Sequence, residues 1–294
     1  MDAAQIRQLR SFNRTVSQRI GALDDSFLDR GRPLGEARLI YEIGWDGAEV
    51  RALRARLELD SGYLSRLLRS LERQGLVRRA AAAGDARVRR VRLTAKGRRE
   101  AAELDRRADA FARSVLAPLG AAQQARLIAA MAEVERLMRA SAVRIAAEPA
   151  DSGDARWCVA QYFRELGDRF DAGFDPARSI SADAPELTPP SGVFLIARLG
   201  GRPLGCGALK VKQRRIGEVK RMWVDAEARG LGIGRRLLAA LEGEARNFGL
   251  NTLRLETNRS LVEAQALYRR AGYREVAPFN DEPYAHHWFE KSPI

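Results

Sequence analysis

Cysteine and histidine are scarce, with two of each among 294 residues. Cys158 and Cys206 cannot build a disulfide framework, and so few soft or imidazole ligands make no metal-ligand cluster. A reducing cytoplasm is expected. No run approaches the ~18 uncharged apolar residues that would span a bilayer, so no membrane association is expected. The N-terminal stretch MDAAQIRQLRSFNRTV is charged from its second residue, which argues against a secretory leader. Proline is sparse at 11 residues, while hydrophobic residues make up 46% and charged residues 30%. That balance belongs to a folded chain, not a disordered one. At about 150 residues per domain, the length predicts two domains.

What the chain has in excess is positive charge, unevenly placed. Net charge is +13, and residues 51–100 alone hold 15 basic against 5 acidic side chains. Clustering of this kind marks a polyanion-binding surface. The stretch Ala146–Ala155, broken by Pro149 and Gly153, has linker composition. We therefore expect a first domain over 1–146, a linker over 147–156 and a second domain over 157–294.

The first half reads as mostly helical. Ile6, Leu9, Val16, Ile20, Leu23 and Phe27 suit one helix face over 4–29, and Pro33 opens another helix. Leu64, Leu67, Leu68 and Leu71 follow the i, i+3, i+4, i+7 pattern of one buried face, with Asp60 or Ser61 as N-cap. The preceding segment carries Val50, Leu53 and Leu57, so the pair forms a helix-turn-helix candidate. Away from the leucines, the second helix offers Ser61, Tyr63, Ser65, Arg66, Arg69, Ser70 and Arg73 to base edges and phosphates. Tyr63 is equally readable as packing support, and Arg69 as a solvated side chain. Two strands, Leu76–Arg79 and Val88–Leu93, flank an arginine-bearing turn at 83–87 that suits a narrow minor groove. Long helices are expected over 95–116 and 121–145.

The segments SGYLSRLLRSLERQGLVRR and GDARVRRVRLTAKG resemble the recognition helix and wing of MarR-type winged-helix regulators, over residues 5–145. The resemblance implies binding to double-stranded DNA at a pseudo-palindromic operator. It also implies a homodimer paired through the first and last helices of the domain. Arg87 and Arg89 would then serve the wing, with Asp85 bracing it.

The second half has strands with glycine turns. Val193–Leu199, Pro203–Val211 and Ile216–Val224 read as strands, with a Gly200-Gly201 hairpin turn. Then Arg229-Gly230-Leu231-Gly232-Ile233-Gly234-Arg235-Arg236 runs into a helix. Glycines before a helix start expose backbone N–H groups to a pyrophosphate, aided by the helix dipole. The spacing fits a dinucleotide fingerprint poorly, and the Lys-Ser/Thr of a Walker loop is missing. Arg229-x-x-Gly232-x-Gly234 resembles the acetyl-CoA loop of GNAT N-acetyltransferases, and EVKRMWV, LRLETN and LVEAQALYRRAGYRE resemble that family's flanking elements in order.

With that resemblance, over about 157–291, the two likenesses together imply a mainly α winged helix-turn-helix followed by an α/β GNAT fold with a mixed, mostly antiparallel sheet. The second likeness carries the expectations about the reaction. It implies acetyl-CoA as cofactor and direct transfer to a small amine or amino-acid-like acceptor. Trp223, Val224, Arg229, Gly230, Leu231, Gly232, Ile233, Gly234, Arg235, Arg236 and Asn258 would contact the cofactor. Tyr268 would protonate the leaving thiolate, and a backbone N–H near Trp223 or Val224 would meet the oxyanion. Glu218 is the first candidate base and Glu256 the second. Leu261 stands where many members carry Asn, so Asn258 is the substitute. Arg221 is open between a substrate carboxylate and packing on the sheet. His286 and His287 alternate faces of an expected last strand over 284–289, so at most one reaches the cleft. Asp171–Pro176 and Glu186–Pro190 are the expected acceptor-side loops. A regulator whose GNAT half only senses acetyl-CoA is the alternative; a third is an enzyme that uses its first half only to dimerise.

Overall fold

The computed structural model describes residues 2–22, 26–82, 85–180, 182–213 and 215–294, and excludes the side chains of 80–88 and 213. Leu23, the Ala83-Gly84 turn and the side chains of Asp85 and Arg87, all singled out above, lie outside the described residues. The chain divides into two compact units, Met1–Ala130 and Met131–Ile294.

In the first unit, α1 (Ala3–Arg19) opens on a capping box between Asp2 and Gln5. It ends well short of the expected residue 29, with Gly21 at a φ of 63° just beyond it. Then come α2 (Leu34–Ile43), β1 (Ala48–Glu49), α3 (Val50–Leu57), α4 (Ser61–Arg73), β2 (Val77–Ala82), β3 (Asp85–Leu93), α5 (Ala95–Leu116) and α6 (Ala121–Ala142). The unit boundary falls inside α6. The strands form an antiparallel sheet in the order β1-β3-β2.

The Asp60 carboxylate caps α4 by accepting the Tyr63 N–H at 2.8 Å. Leu64, Leu67, Leu68 and Leu71 are buried in one core with Leu39, Ile40, Ile43 and Leu53. At about 1.5–3 kcal/mol per buried leucine, this face fixes the helix against α2 and α3. Thr94 caps α5 by accepting the Gly97 N–H at 3.0 Å. A Cβ on Gly97 would come within 1.9 Å of the Leu76 carbonyl oxygen, so only glycine lets the helix approach the strand so closely.

A buried polar network, not anticipated from sequence, ties these helices together. Glu36 accepts from Ser70 Oγ at 2.6 Å, Gln74 Nε2 at 3.0 Å and Arg32 Nη1 at 3.4 Å. Arg32 Nε and Arg30 Nε both donate to Glu100 Oε1 at 3.1 Å. The network therefore clamps the C-terminal end of α4 to α2 and α5.

In the second unit, β4 (Arg144–Ala147) and α7 (Gly153–Arg169) precede β5 (Gly192–Leu199), β6 (Arg202–Gln213) and β7 (Ile216–Val224). Then follow α8 (Ile233–Asn247), β8 (Thr252–Thr257), α9 (Val262–Arg270), β9 (Arg274–Val276) and β10 (His287–Lys291). The stretch expected as a linker is instead structured. β4 pairs with β5, Ser152 caps α7 by accepting the Ala155 N–H at 3.1 Å, and Arg198 binds Glu148 and Asp154. Small polar composition was a poor guide there, because backbone pairing needs no particular side chain. The expected last strand starts later, at His287.

The seven strands run in the order β4-β5-β6-β7-β8-β10-β9, all antiparallel except the β7–β8 pair. Alternation along β5 sends Val193, Leu195 and Ala197 to a core with α8 and α9, and Phe194 and Ile196 to a second core with α7. The site lies where β7 and β8 diverge.

Glu36→Ala removes the acceptor shared by Ser70, Gln74 and buried Arg32, of which Gln74 Nε2 and Arg32 Nη1 each keep one other partner, and should lower the stability of the first unit by about 1–3 kcal/mol in urea unfolding. A change below about 0.5 kcal/mol, the size of an ordinary surface substitution, would remove the network from any structural role. The Glu100 carboxyl is held below its ordinary 4.5 by the Arg30 hydrogen bond, partly opposed by burial. A depressed folded value stabilises above the unfolded value, so Glu100 contributes fully above about pH 4.5 and less as acid lowers the pH through its folded value. Glu100→Gln should flatten that acid limb.

Candidate functional site

Parallel pairing between β7 and β8 covers only Ile216↔Thr252, Gly217↔Leu253 and Glu218↔Arg254. Beyond these the strands diverge, although β7 continues to Val224 and β8 to Thr257. Backbone groups that a full ladder would consume are thereby left for a ligand, at the carboxyl ends of parallel strands where α/β sheets commonly bind ligands. The divergence coincides with a β-bulge on β7. Cys206 faces Trp223 and Ala208 faces Lys220, so one residue of β6 lies opposite two of β7, Arg221 and Met222. Arg221 has a φ of 57°, a left-handed conformation that costs a non-glycine residue about 1–3 kcal/mol.

Two cavities open there and share Tyr162, Leu166, Met222, Leu261, Ala264 and Tyr268. The larger, about 540 Å³, lies between the glycine loop and α9. Of the residues expected on the cofactor, Trp223, Val224, Arg229, Gly230, Gly232, Ile233, Gly234 and Arg235 line it. Gly230 and Gly232 have φ values of 75° and 72°, which glycine adopts without strain. Gly232 is the N-cap of α8 and offers no side-chain cap. The N–H groups of Ile233, Gly234 and Arg235 precede the first intrahelical donor, Arg236, whose N–H reaches Gly232 O at 3.1 Å. A Cβ on Gly232 would meet nothing within 4 Å. An uncapped helix start facing an open cleft fits a pyrophosphate.

Three expected cofactor contacts lie elsewhere. Arg236 turns away and donates to the carbonyls of Ala140 and Val143, which close the C-terminal end of α6. Leu231 packs against the core beneath the loop. Asn258 lines the smaller cavity, where it donates to Tyr284 O at 2.8 Å and accepts from Ser260 N at 2.9 Å. Arg229 lines the cleft, yet its Nη2 is bound to Glu165 Oε2 at 2.5 Å and its Nε to Val224 O at 3.2 Å. The sequence reading missed Glu165, which also accepts from Trp223 Nε1 at 3.0 Å and pairs with Arg169 at 3.2 Å. Its i, i+4 spacing to Arg169 was the one available signal.

The smaller cavity, about 90 Å³, is lined by Lys220, Arg221, Met222, Glu256, Tyr268 and Glu282 among others. Tyr268 is buried, and burial pushes its phenol well above the ordinary value, so the hydroxyl keeps its proton. Glu218, the first candidate base, lines neither cavity. It sits where β7 still pairs with β8, 3.4 Å from Lys220. Glu256 does line the smaller cavity; one oxygen is paired with Lys220, and its buried Oε2 has no hydrogen-bond partner among the described residues. Of the expected acceptor loops, Phe174 reaches this cavity. Glu186 is instead paired with Lys210 at 2.6 Å. Neither histidine lines either of these two cavities, and His287 lies 2.6 Å from Glu275.

In the first unit, Ser61, Tyr63, Ser65, Arg66, Arg69 and Arg73 are all exposed on α4, and Arg89 is exposed on β3. The Arg66 guanidinium lies 5.7 Å from the Tyr63 ring. A Cβ on Gly35 of α2 would lie 3.0 Å from the Tyr63 hydroxyl, so the tyrosine also packs on α2. Ser70 is turned inward to Glu36.

Comparison with known proteins agrees with this geometry. Residues 159–273 match the model of the acetyltransferase (GNAT) family, and residues 31–88 that of the MarR family. An IAA acetyltransferase of Azospirillum brasilense is 44% identical over 128 residues, 43% of this chain and 82% of that protein. An uncharacterised N-acetyltransferase of Schizosaccharomyces pombe is 30% identical over 152 residues, 50% of this chain and 92% of that protein. The chain belongs to the GNAT family as an acetyl-CoA-dependent N-acetyltransferase, with a MarR-family region fused ahead of the catalytic fold.

Proposed function

We propose that the protein is a bifunctional dimer that binds a pseudo-palindromic operator and acetylates a small amine or amino-acid-like acceptor by direct transfer. The observation that carries the enzymatic activity is the meeting of the two cavities at Tyr268. The larger cleft would hold acetyl-CoA, with its pyrophosphate on the N–H groups that begin α8. The acceptor nitrogen would enter from the smaller cavity. Glu256 accepts one proton from the ammonium, directly or through a water, and the freed amine attacks the thioester carbonyl. A backbone N–H of the diverging end of β7, at Trp223 or Val224, meets the oxyanion. As the C–N bond forms and the C–S bond breaks, Tyr268 gives its proton to the thiolate sulfur. The second proton lost by nitrogen restores the phenol. Glu256 replaces Glu218 in this reading because only Glu256 lines a cavity.

For the first unit, the exposed basic face of α4 supports DNA binding. Ile6, Leu9, Phe12 and Val16 of α1, with Ile20 at its C-cap, make an apolar stripe, each 37–54% exposed. An exposed stripe of this size supports pairing of two chains. A dimer would set two copies of α4 about one helical turn of DNA apart. The sensor reading is the alternative, with acetyl-CoA bound at a glycine loop whose Gly230 O accepts from Arg136 Nη1 at 3.0 Å within the same unit. It expects acetyl-CoA to change operator affinity in the absence of any acceptor.

Gly232→Glu puts a carboxylate where the pyrophosphate would lie, and should abolish acetyl-CoA binding in calorimetry; retained binding would refute the loop assignment. Tyr268→Phe should lower kcat by roughly 100-fold or more while leaving acetyl-CoA affinity near the parent value. An unchanged kcat would exclude the phenol as proton donor. Operator binding through about six phosphate contacts should give a log–log salt slope near −5. Arg87→Ala should weaken that binding and spare acetyl transfer, whereas no operator binding at any salt would leave the first unit only a dimerising role.

A further inference from the structure

The bulge also changes which side chains of β7 share a face. In a regular strand, Lys220 and Arg221 would point to opposite faces. Here Lys220, Arg221 and Met222 all line the smaller cavity, which the left-handed backbone at Arg221 allows. The guanidinium carbon of Arg221 lies 4.5 Å from the Phe163 ring centroid. Among the described residues, no carboxylate lies within ion-pair distance of it and no acceptor takes its N–H groups, although burial acts against its charge and lowers its pKa. The Arg221 side chain is half-buried on the cavity wall, with a planar fork of donors that a ligand entering the cavity can use.

The other carboxylate on the wall does not fill that role. Glu282 Oε2 accepts from Ser179 Oγ at 3.0 Å and Ile180 N at 2.7 Å, and its Oε1 from Tyr284 N at 3.3 Å. On β8, Glu256 is nine-tenths buried and its Oε2 has no partner among the described residues. Along β7 and β8 the charges alternate through Glu218, Lys220 and Glu256. An ammonium at Glu256 Oε2 continues that alternation. The cavity thus presents one unfilled acceptor and one unfilled planar donor fork.

We propose that this cavity is an α-amino-acid site, in which Arg221 receives the carboxylate of the acceptor and Glu256 Oε2 receives its amine. The inference rests on the transferase reading above and narrows its acceptor. A guanidinium binds a carboxylate through two parallel hydrogen bonds, which also aims the neighbouring amine. The cavity of about 90 Å³ is smaller than the ~150 Å³ that holds a benzene ring. Compact amino acids are therefore the acceptors that fit within it. Arg221 fixes specificity, and the proton chemistry belongs to Glu256 and Tyr268.

The test uses the full chain with acetyl-CoA and follows CoA release with compact α-amino acids, each beside its decarboxylated amine and its carboxamide. The amino acids should exceed both analogues in kcat/KM by roughly 10- to 100-fold, the range of a charge-assisted hydrogen bond. Arg221→Met should collapse that ratio through KM of the amino acid, and Arg221→Lys should restore some of it. Thermal unfolding and acetyl-CoA affinity of both variants check the fold. Amines or carboxamides used as well as the amino acids would overturn the proposal while leaving the transferase intact. So would a ratio that Arg221→Met leaves unchanged. If no acceptor accelerates release although acetyl-CoA binds, the transferase reading fails and the acceptor assignment falls with it.

Discussion

Two parallel strands that stop pairing after three residues govern the second unit. A sheet satisfies its backbone by continuing its ladders, and β7 and β8 give that up beyond Glu218 and Arg254. The divergence creates the wedge into which Tyr268 descends from one face of the sheet, and to which Tyr162 and Leu166 of α7 contribute from the other. The same bulge aims Arg221 into the wedge. Backbone cost at Arg221 is placed where ligand binding can offset it; the other register shifts of this sheet, at Ala197/Arg198 and Val211/Gln213, lie away from the wedge.

The glycine loop depends on a different device. Its two left-handed glycines turn the chain from the 3-10 turn at Ala226–Ala228 into α8 without a capping side chain. Leu231 fastens the loop to the core, and Arg136 holds the Gly230 carbonyl. Glu165 gathers Trp223, Arg229 and Arg169 at the opposite rim. The arginines around the loop are thus divided between the cleft and the scaffold. Arg235 is exposed at the cleft, whereas Arg236 binds carbonyls at the end of α6.

In the first unit the equivalent constraint is the Arg30–Glu100–Arg32–Glu36–Ser70–Gln74 network. It fixes the C-terminal end of α4 from inside, which leaves Arg66, Arg69 and Arg73 exposed on the outer face. Leucine burial supplies most of the attachment of α4, and the polar network fixes its position along α2.

Much of this was legible in the chain itself. Period-3.6 leucines located α4, glycines located the start of α8, and an apolar run located β5, because each pattern is local and follows backbone geometry. Motif order carried the two families. The choice among like residues was not legible. Glu218 is buried and the Glu256 side chain is nine-tenths covered on the neighbouring strand, and only the point at which the strands diverge decides which one meets the cavity. Arg235 and Arg236 are adjacent in sequence, and the turn of α8 sends them to different partners. Asn258 and Leu231 stood in the right segments but face other neighbours. The sequence by itself determined the elements, the loop and the local charge, since these depend on residues a few positions apart. The tertiary structure alone decided which titratable groups share a cavity, because that depends on register, the bulge at Arg221 and contacts between residues far apart in the chain.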